Sequence, residues 1–337
     1  MAVPRGLLLP AALLASCAAL HHGAPPGQDG QRLLGGGRHA ASASAKMMAV
    51  KGHTVSQVSA RWTGNVVYAI FTSASEKYHD GLLAELGTWA EVPARQGRFV
   101  AVGGSNYPDE WQTKNVLKSE CGDSMESISC KEATLLAEGA ARGADWLYVI
   151  GEDNYVHTKR IEEFLSDKDP DSVIAYGTVG CGKGIYCTDD DGFTEEGGFC
   201  GGGGYIISRG ALQRLLANGA PELHEIYDAT PWPNDMTTSC QLRKHEVVLS
   251  NVGNMYGFPI VDIDDYKGMA RGDFLTLHYL RPATMRWFHA HLHGASKHVT
   301  HSLEEAAFDH GCAKDIGGVS SQQRFRECLV KKGATPQ

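Results

Sequence analysis

The chain has 337 residues, enough for one large domain or two small ones, and its 42% hydrophobic and 21% charged content is that of an ordinary globular protein. Its formal net charge is −8 and it carries no Lys/Arg run or basic helix, so nothing in its charge favours a nucleic-acid partner or a surface that clings to anionic lipid.

The N-terminus reads as a targeting segment. Met1–Arg5 brings one positive charge, and Gly6–Leu20 then runs apolar apart from Pro10, Ser16 and Cys17. That run is shorter than the roughly 20 residues a bilayer span needs. Residues 1–22 are therefore expected to be a signal peptide or a short signal anchor, either of which sends the chain into the secretory pathway. Residues 23–62, rich in Gly, Ala, Ser, His and Gln, read as a flexible stem, and 63–337 as the folded domain. Of nine cysteines, Cys17 lies in the targeting segment, and the other eight suggest disulfides in an oxidising compartment. The near neighbours Cys121/Cys130, Cys181/Cys187 and Cys312/Cys328 are the natural pairs by proximity, although spacing does not fix the connectivity.

Within the domain, the continuous apolar run 66–72 predicts a strand buried on both faces. Helical spacing follows over 77–92, with Leu82, Leu83, Leu86, Trp89 and Ala90 on one side. A second strand is predicted at 98–102, a helix at 131–142, and a third strand at 146–150. Helices at 159–166 and 209–217 continue an alternation that defines an α/β domain with a mostly parallel sheet. The Gly-rich stretch 177–204 reads as a long functional loop region. Near the C-terminus a short helix at 302–308 and the Cys312/Cys328 pair are expected to staple a flap.

Chemistry concentrates after the third strand, in Trp146-Leu-Tyr-Val-Ile-Gly-Glu152-Asp153-Asn154-Tyr155-Val156. Ligands of open α/β sheets bind at the carboxyl ends of the strands, and carboxylates there can hold a hard divalent cation. On pattern alone, Glu152 and Asp153 serve equally well as caps of the following helix.

The segment resembles the acidic motif of the Fringe-type glycosyltransferases, which include the core-1 galactosyltransferase. Gly151 stands in place of the first of three acidic residues, Glu152 replaces the second, and Asp153 keeps the third. Further matches occur in the family's order: Lys77-Tyr78-His79 after the first strand, Thr88-Trp89, Ser129-Cys130-Lys131, the stretch Phe199 to Arg209, and Pro233-Asn234-Asp235-Met236-Thr237, where Asn234 replaces an Asp. The resemblance covers roughly 66–285. It implies a GT-A-like fold with a mostly parallel, Rossmann-like central sheet, and inverting transfer from a UDP-sugar with formation of a β-1,3 linkage. It implies Asp153 and His278 as ligands of Mn²⁺ (or Mg²⁺), and Asp235 as the general base. Thr72, Lys131, Glu152, Gly202 and Gly203 are implied to bind the donor. The acceptor would be a glycan or glycoprotein, and the location the Golgi lumen.

A lone His on a strand such as Leu275–Leu280 is otherwise a satisfied structural residue. His289, His291 and His293, at alternate positions, would share one face of a strand and form a surface or adventitious zinc site. Gly177–Gly184 nearly matches a phosphate-binding P-loop but lacks the closing hydroxyl residue and a strong preceding strand. Asp189-Asp190-Asp191 lacks a buried strand to aim it. The substitutions at 151, 152 and 234 motivate a second reading, a non-catalytic carbohydrate- or nucleotide-binding protein on a degenerate transferase scaffold.

Overall fold

The computed structural model describes residues 64–187, 197–230, 233–257 and 274–293, all within the unit spanning 58–337. The targeting segment, the stem, the acidic triplet 189–191 and the C-terminal flap with Cys312 and Cys328 lie outside the described residues. Among the described residues no helix is long and apolar enough to cross a membrane.

The strands are β1 (Val66–Phe71), β2 (Phe99–Gly103), β3 (Val116–Lys118), β4 (Trp146–Gly151), β5 (Tyr155–Val156), β6 (Ile174–Gly177), β7 (Val179–Cys181), β8 (Gly198–Phe199), β9 (Tyr205–Ser208), β10 (Val248–Asn251), β11 (Met255–Tyr256) and β12 (Thr276–Leu277). The helices are α1 (Glu76–Leu86), α2 (Glu91–Arg95), α3 (Ile128–Ala141), α4 (Thr158–Leu165), α5 (Arg209–Leu215), α6 (Ala220–Ala229), α7 (Asn234–Lys244) and α8 (Pro282–Leu292). Seven strands form the central sheet in the order β10-β6-β9-β4-β1-β2-β3. Only β9 runs antiparallel, against both β4 and β6. The expected α/β domain with a mostly parallel sheet is what the chain forms. A small sheet, β11-β12-β5, sits beyond the end of β4.

Alternation along β1 explains the layering. Val66, Tyr68 and Ile70 join Leu82, Trp89, Trp287 and Phe288 in the core beneath α1 and α8. Val67 and Ala69 join Leu135, Leu136, Leu212, Leu223 and Tyr227 beneath α3, α5 and α6. With helices on both faces the strands read as continuous apolar runs.

Several expectations need correction. The helix over 77–92 is two helices: α1 ends at Gly87, and the Thr88 hydroxyl donates to Ala84 O at 2.6 Å before α2 begins. Cys181 pairs with Cys200, not Cys187, because β7 folds back antiparallel on β8. Cys187 instead reaches Cys240 on α7. Cys121–Cys130 forms as expected. The near P-loop does have a preceding strand, β6, yet Gly182–Ile185 is a turn. It supplies no helix N-terminus to receive a phosphate. His289 and His291 lie on a helix rather than a strand. Met285 and Phe288 are both wholly buried at the three-residue spacing of a helix face, and Pro282 opens it at a position where no amide donor is needed.

Candidate active site

A cavity of about 430 Å³ opens at the carboxyl ends of β1 and β4. Thr72, Lys131, Glu152, Asp153, Gly202, Asp235 and His278 all line it, so of the eight residues singled out in the sequence only Gly203 stands behind the wall.

Asp153 lies just past β4 and His278 just past β12. The two meet because β12 pairs with β5, the strand immediately following the acidic motif. His278 Nε2 comes to 3.2 Å of Asp153 Oδ1, and its other nitrogen, Nδ1, is 3.0 Å from Gly257 O. Burial alone would lower the histidine's affinity for a proton, but the Asp153 carboxylate and Gly257 O outweigh it and raise its pKa. A second partner on Nδ1 fixes the ring so that Nε2 faces the carboxylate. Gly202 permits this approach: a Cβ there would stand 2.5 Å from both His278 Nδ1 and Gly257 O. Gly203 serves the same turn from behind, where a Cβ would meet Met255 O at 3.0 Å.

Glu152 lines the cavity but is packed against α1. A side chain on Gly81 would come within 3.0 Å of Glu152 Cγ, so glycine is what gives it room. Burial, then the neighbouring Asp153 charge, pushes its pKa up to about 8. Glu85, fully buried on α1, is pushed well up by burial and by the charges of Glu152 and Asp153. Asp153 is thus the motif's exposed carboxylate, and Glu152 its buried one.

Lys131, on α3, is 2% exposed. Its ammonium donates to Thr72 O at 2.8 Å and to Asp123 Oδ1 at 2.9 Å, while Asp123 Oδ2 accepts from Ala74 N–H at 2.6 Å. The lysine therefore clamps the loop closed by Cys121–Cys130 to the end of β1. The Thr72 hydroxyl is buried without a hydrogen-bond partner among the described residues.

Asp235 occupies the first turn of α7, where the helix dipole favours a negative charge. Its Oδ2 accepts from Gly201 N–H and its Oδ1 from Met236 N–H, both at 2.9 Å. Burial raises its pKa, with these two backbone donors opposing.

Sequence reasoning missed Glu132. It is wholly buried on α3 and accepts from three neutral donors: the Tyr205 hydroxyl, the Thr238 hydroxyl, and Asn234 Nδ2 at 2.7 Å. Burial pushes its pKa up to about 7 despite those bonds. An Asp at 234 would set a second carboxylate against it, where the Asn234 amide now donates. The available signal was a Glu directly after Lys131 in an Ala- and Leu-rich helix.

The Fringe-like family model matches residues 64–256. The Fringe glycosyltransferase of Drosophila melanogaster is 24% identical over 178 residues, spanning 50% of this chain and 43% of that protein. The chain thus matches less than half the length of that relative. Among solved structures, a glycosyltransferase involved in glycosylation of the major capsid of PBCV-1 gives a TM-score of 0.40 at 13% identity, covering 68% of this chain and 99% of that one. A galactosyltransferase in complex with donor and acceptor sugar analogues gives 0.35 at 11%, covering 71% and 99%. The chain belongs to the Fringe-like family.

Proposed function

We propose that the chain transfers a sugar from a UDP-sugar to a glycan or glycoprotein hydroxyl with inversion, giving a β-1,3 linkage, in the lumen of the Golgi. The observation that carries this reading is the meeting of Asp153, His278 and Asp235 around one cavity at the strand ends. An oxygen and an imidazole nitrogen 3.2 Å apart suit Mn²⁺ or Mg²⁺, and two protein ligands leave room for phosphate and water oxygens. Asp153 and His278 would hold the ion. When bound, it supplies Lewis-acid stabilisation of the diphosphate leaving group.

The chain's own residues supply the rest. The Lys131 clamp holds the Thr72 wall, and the glycine turn at 201–203 brings backbone close to the donor side of the cavity. Asp235, held by two amides, takes the proton of the acceptor hydroxyl as that oxygen attacks the anomeric carbon. A single displacement inverts the configuration. The three disulfides among the described residues suit an oxidising lumen.

Calorimetry with UDP, with and without Mn²⁺, tests the reading. Binding is expected to require the ion and to vanish in Asp153→Ala, and absence of binding in both conditions sinks it. One observation favours the non-catalytic alternative: Glu152 is buried against α1, leaving Asp153 as the only acidic-motif carboxylate exposed at the cavity. Asp235→Asn separates the two readings. In an enzyme it removes turnover of at least 100-fold while sparing UDP affinity.

A further inference from the structure

Tyr279 follows His278 with φ +62°, in the left-handed region. A bulky aromatic residue is strained there and stays only where its surroundings over-determine it. Hydrogen bonds fix the backbone on both sides: His278 N–H donates to Tyr256 O at 3.1 Å, and Leu280 N–H donates to Asp153 O at 2.9 Å. Leu277 and Leu280 are both anchored in the core. Relaxing Tyr279 to an extended conformation means breaking one of these bonds or drawing Leu280 out. The strand alternation that would send Tyr279 to the side of Leu277 is therefore broken. Tyr279 is 52% exposed and lines the cavity, its ring centroid 3.7 Å from that of His278 at a tilt of 37°. A scattered surface tyrosine needs no explanation, but one held out over a cavity by strained backbone does.

A sugar ring can lie flat against an aromatic ring in a polar cavity. A pyranose carries C–H groups on one face and hydroxyls around its rim, so it can lie on an aromatic surface while its hydroxyls reach polar groups. Ser73, Asn154 and Asp235 line the same cavity. We propose that Tyr279 is the stacking wall for a pyranose ring of the substrate, from the donor or from the acceptor. This inference rests on the glycosyl-transfer reading above.

The test uses the full chain and its Tyr279→Ala, Tyr279→Phe and Tyr279→Gly variants. Calorimetry in Mg²⁺ compares UDP, UDP-glucose and UDP-galactose, which reads the donor ring. Saturation-transfer NMR with methyl glucopyranoside and methyl galactopyranoside in the presence of UDP reads the acceptor ring. The expected result is an unchanged affinity for UDP, with at least one sugar-bearing probe weakened about three- to tenfold in the Ala and Gly variants and retained in Phe. The Gly variant is expected to melt at the same or a higher temperature, since glycine adopts this φ without steric cost. A purely structural tyrosine would lower it. Equal sugar affinities in wild type and Ala variant, or a wild type that binds none of these sugars, overturns the proposal. So does a loss that falls equally on UDP itself, which would mark a nucleotide contact. A wild type that binds no UDP at all fails the transferase reading itself, independently of the variants.

Discussion

Asp153 lines the cavity, Glu132 lies behind Asn234 in its wall, and the surroundings of these two carboxylates are opposite. Asp153 faces the cavity and meets an imidazole at 3.2 Å. Glu132 is sealed from solvent and meets two hydroxyls and an amide. An accessible carboxylate beside a histidine can exchange its partner for a cation. A sealed one with three neutral donors can only hold what donates to it: β9 through Tyr205, and α7 through Asn234 and Thr238. One is placed to act and the other to position α7, which carries Asp235.

The sharpest way to break this comparison is Glu132→Ala. It strands two buried donors, Tyr205 and Thr238, and the half-buried Asn234, and a loss of about 3–5 kcal/mol is expected, read as a lower urea midpoint at unchanged slope. A loss under about 1 kcal/mol would mean water replaces the carboxylate and the holding role is wrong.

The next effect is a pH slope. A carboxyl raised from an ordinary value near 4.5 to about 7 binds its proton more tightly when folded. The native state then holds more protons between those two values, so stability falls as pH rises through that window, by on the order of 3 kcal/mol. Glu132→Gln should flatten this part of the curve. Glu152, raised to about 8, leaves a residual fall that extends further. Stability rising from pH 5 to 7 would contradict both.

The smallest effect sharpens the account of residue 234. Asn234→Asp sets a carboxylate where an amide now donates at 2.7 Å. A loss of about 2 kcal/mol at pH 8 is expected, smaller at pH 5, where one of the pair is protonated. Adding Glu132→Gln should restore most of it. Equal losses at both pH values, or no recovery in the double variant, would show that the two side chains do not depend on each other.

Much of the sheet was legible because β1, β2 and β4 are covered on both faces and read as unbroken apolar runs. Helix α7 was not. Its buried residues Thr237, Thr238 and Ser239 are polar, and two of them are buried by hydrogen bonds: Thr238 to Glu132, and Ser239 to Asp235 O while accepting from Phe199 N–H. Hydropathy periodicity cannot see a helix face satisfied in this way. The direction of β9 was equally hidden, since a short buried strand reads alike both ways. For the site, family resemblance supplied Asp153, His278 and Asp235. Residue pattern alone left Asp153 equally a helix cap and favoured a structural role for His278, because the contact that unites the two depends on the two-residue strand β12. Glu132 carried no motif, and its meaning comes from helices more than 100 residues apart in the chain.

Two of the cross-links bear on how the protein must be made. Cys200 leads directly into the turn that supplies Gly201 N–H to Asp235, and Cys240 sits on the helix that carries Asp235. Both supports of the proposed base are therefore tied down by a disulfide, whereas the core strands of the sheet rest on their own apolar runs. Material produced in a reducing cytosol is expected to keep the sheet and lose the registry of the proposed base, so a failed assay on it would report on the host rather than on the chain.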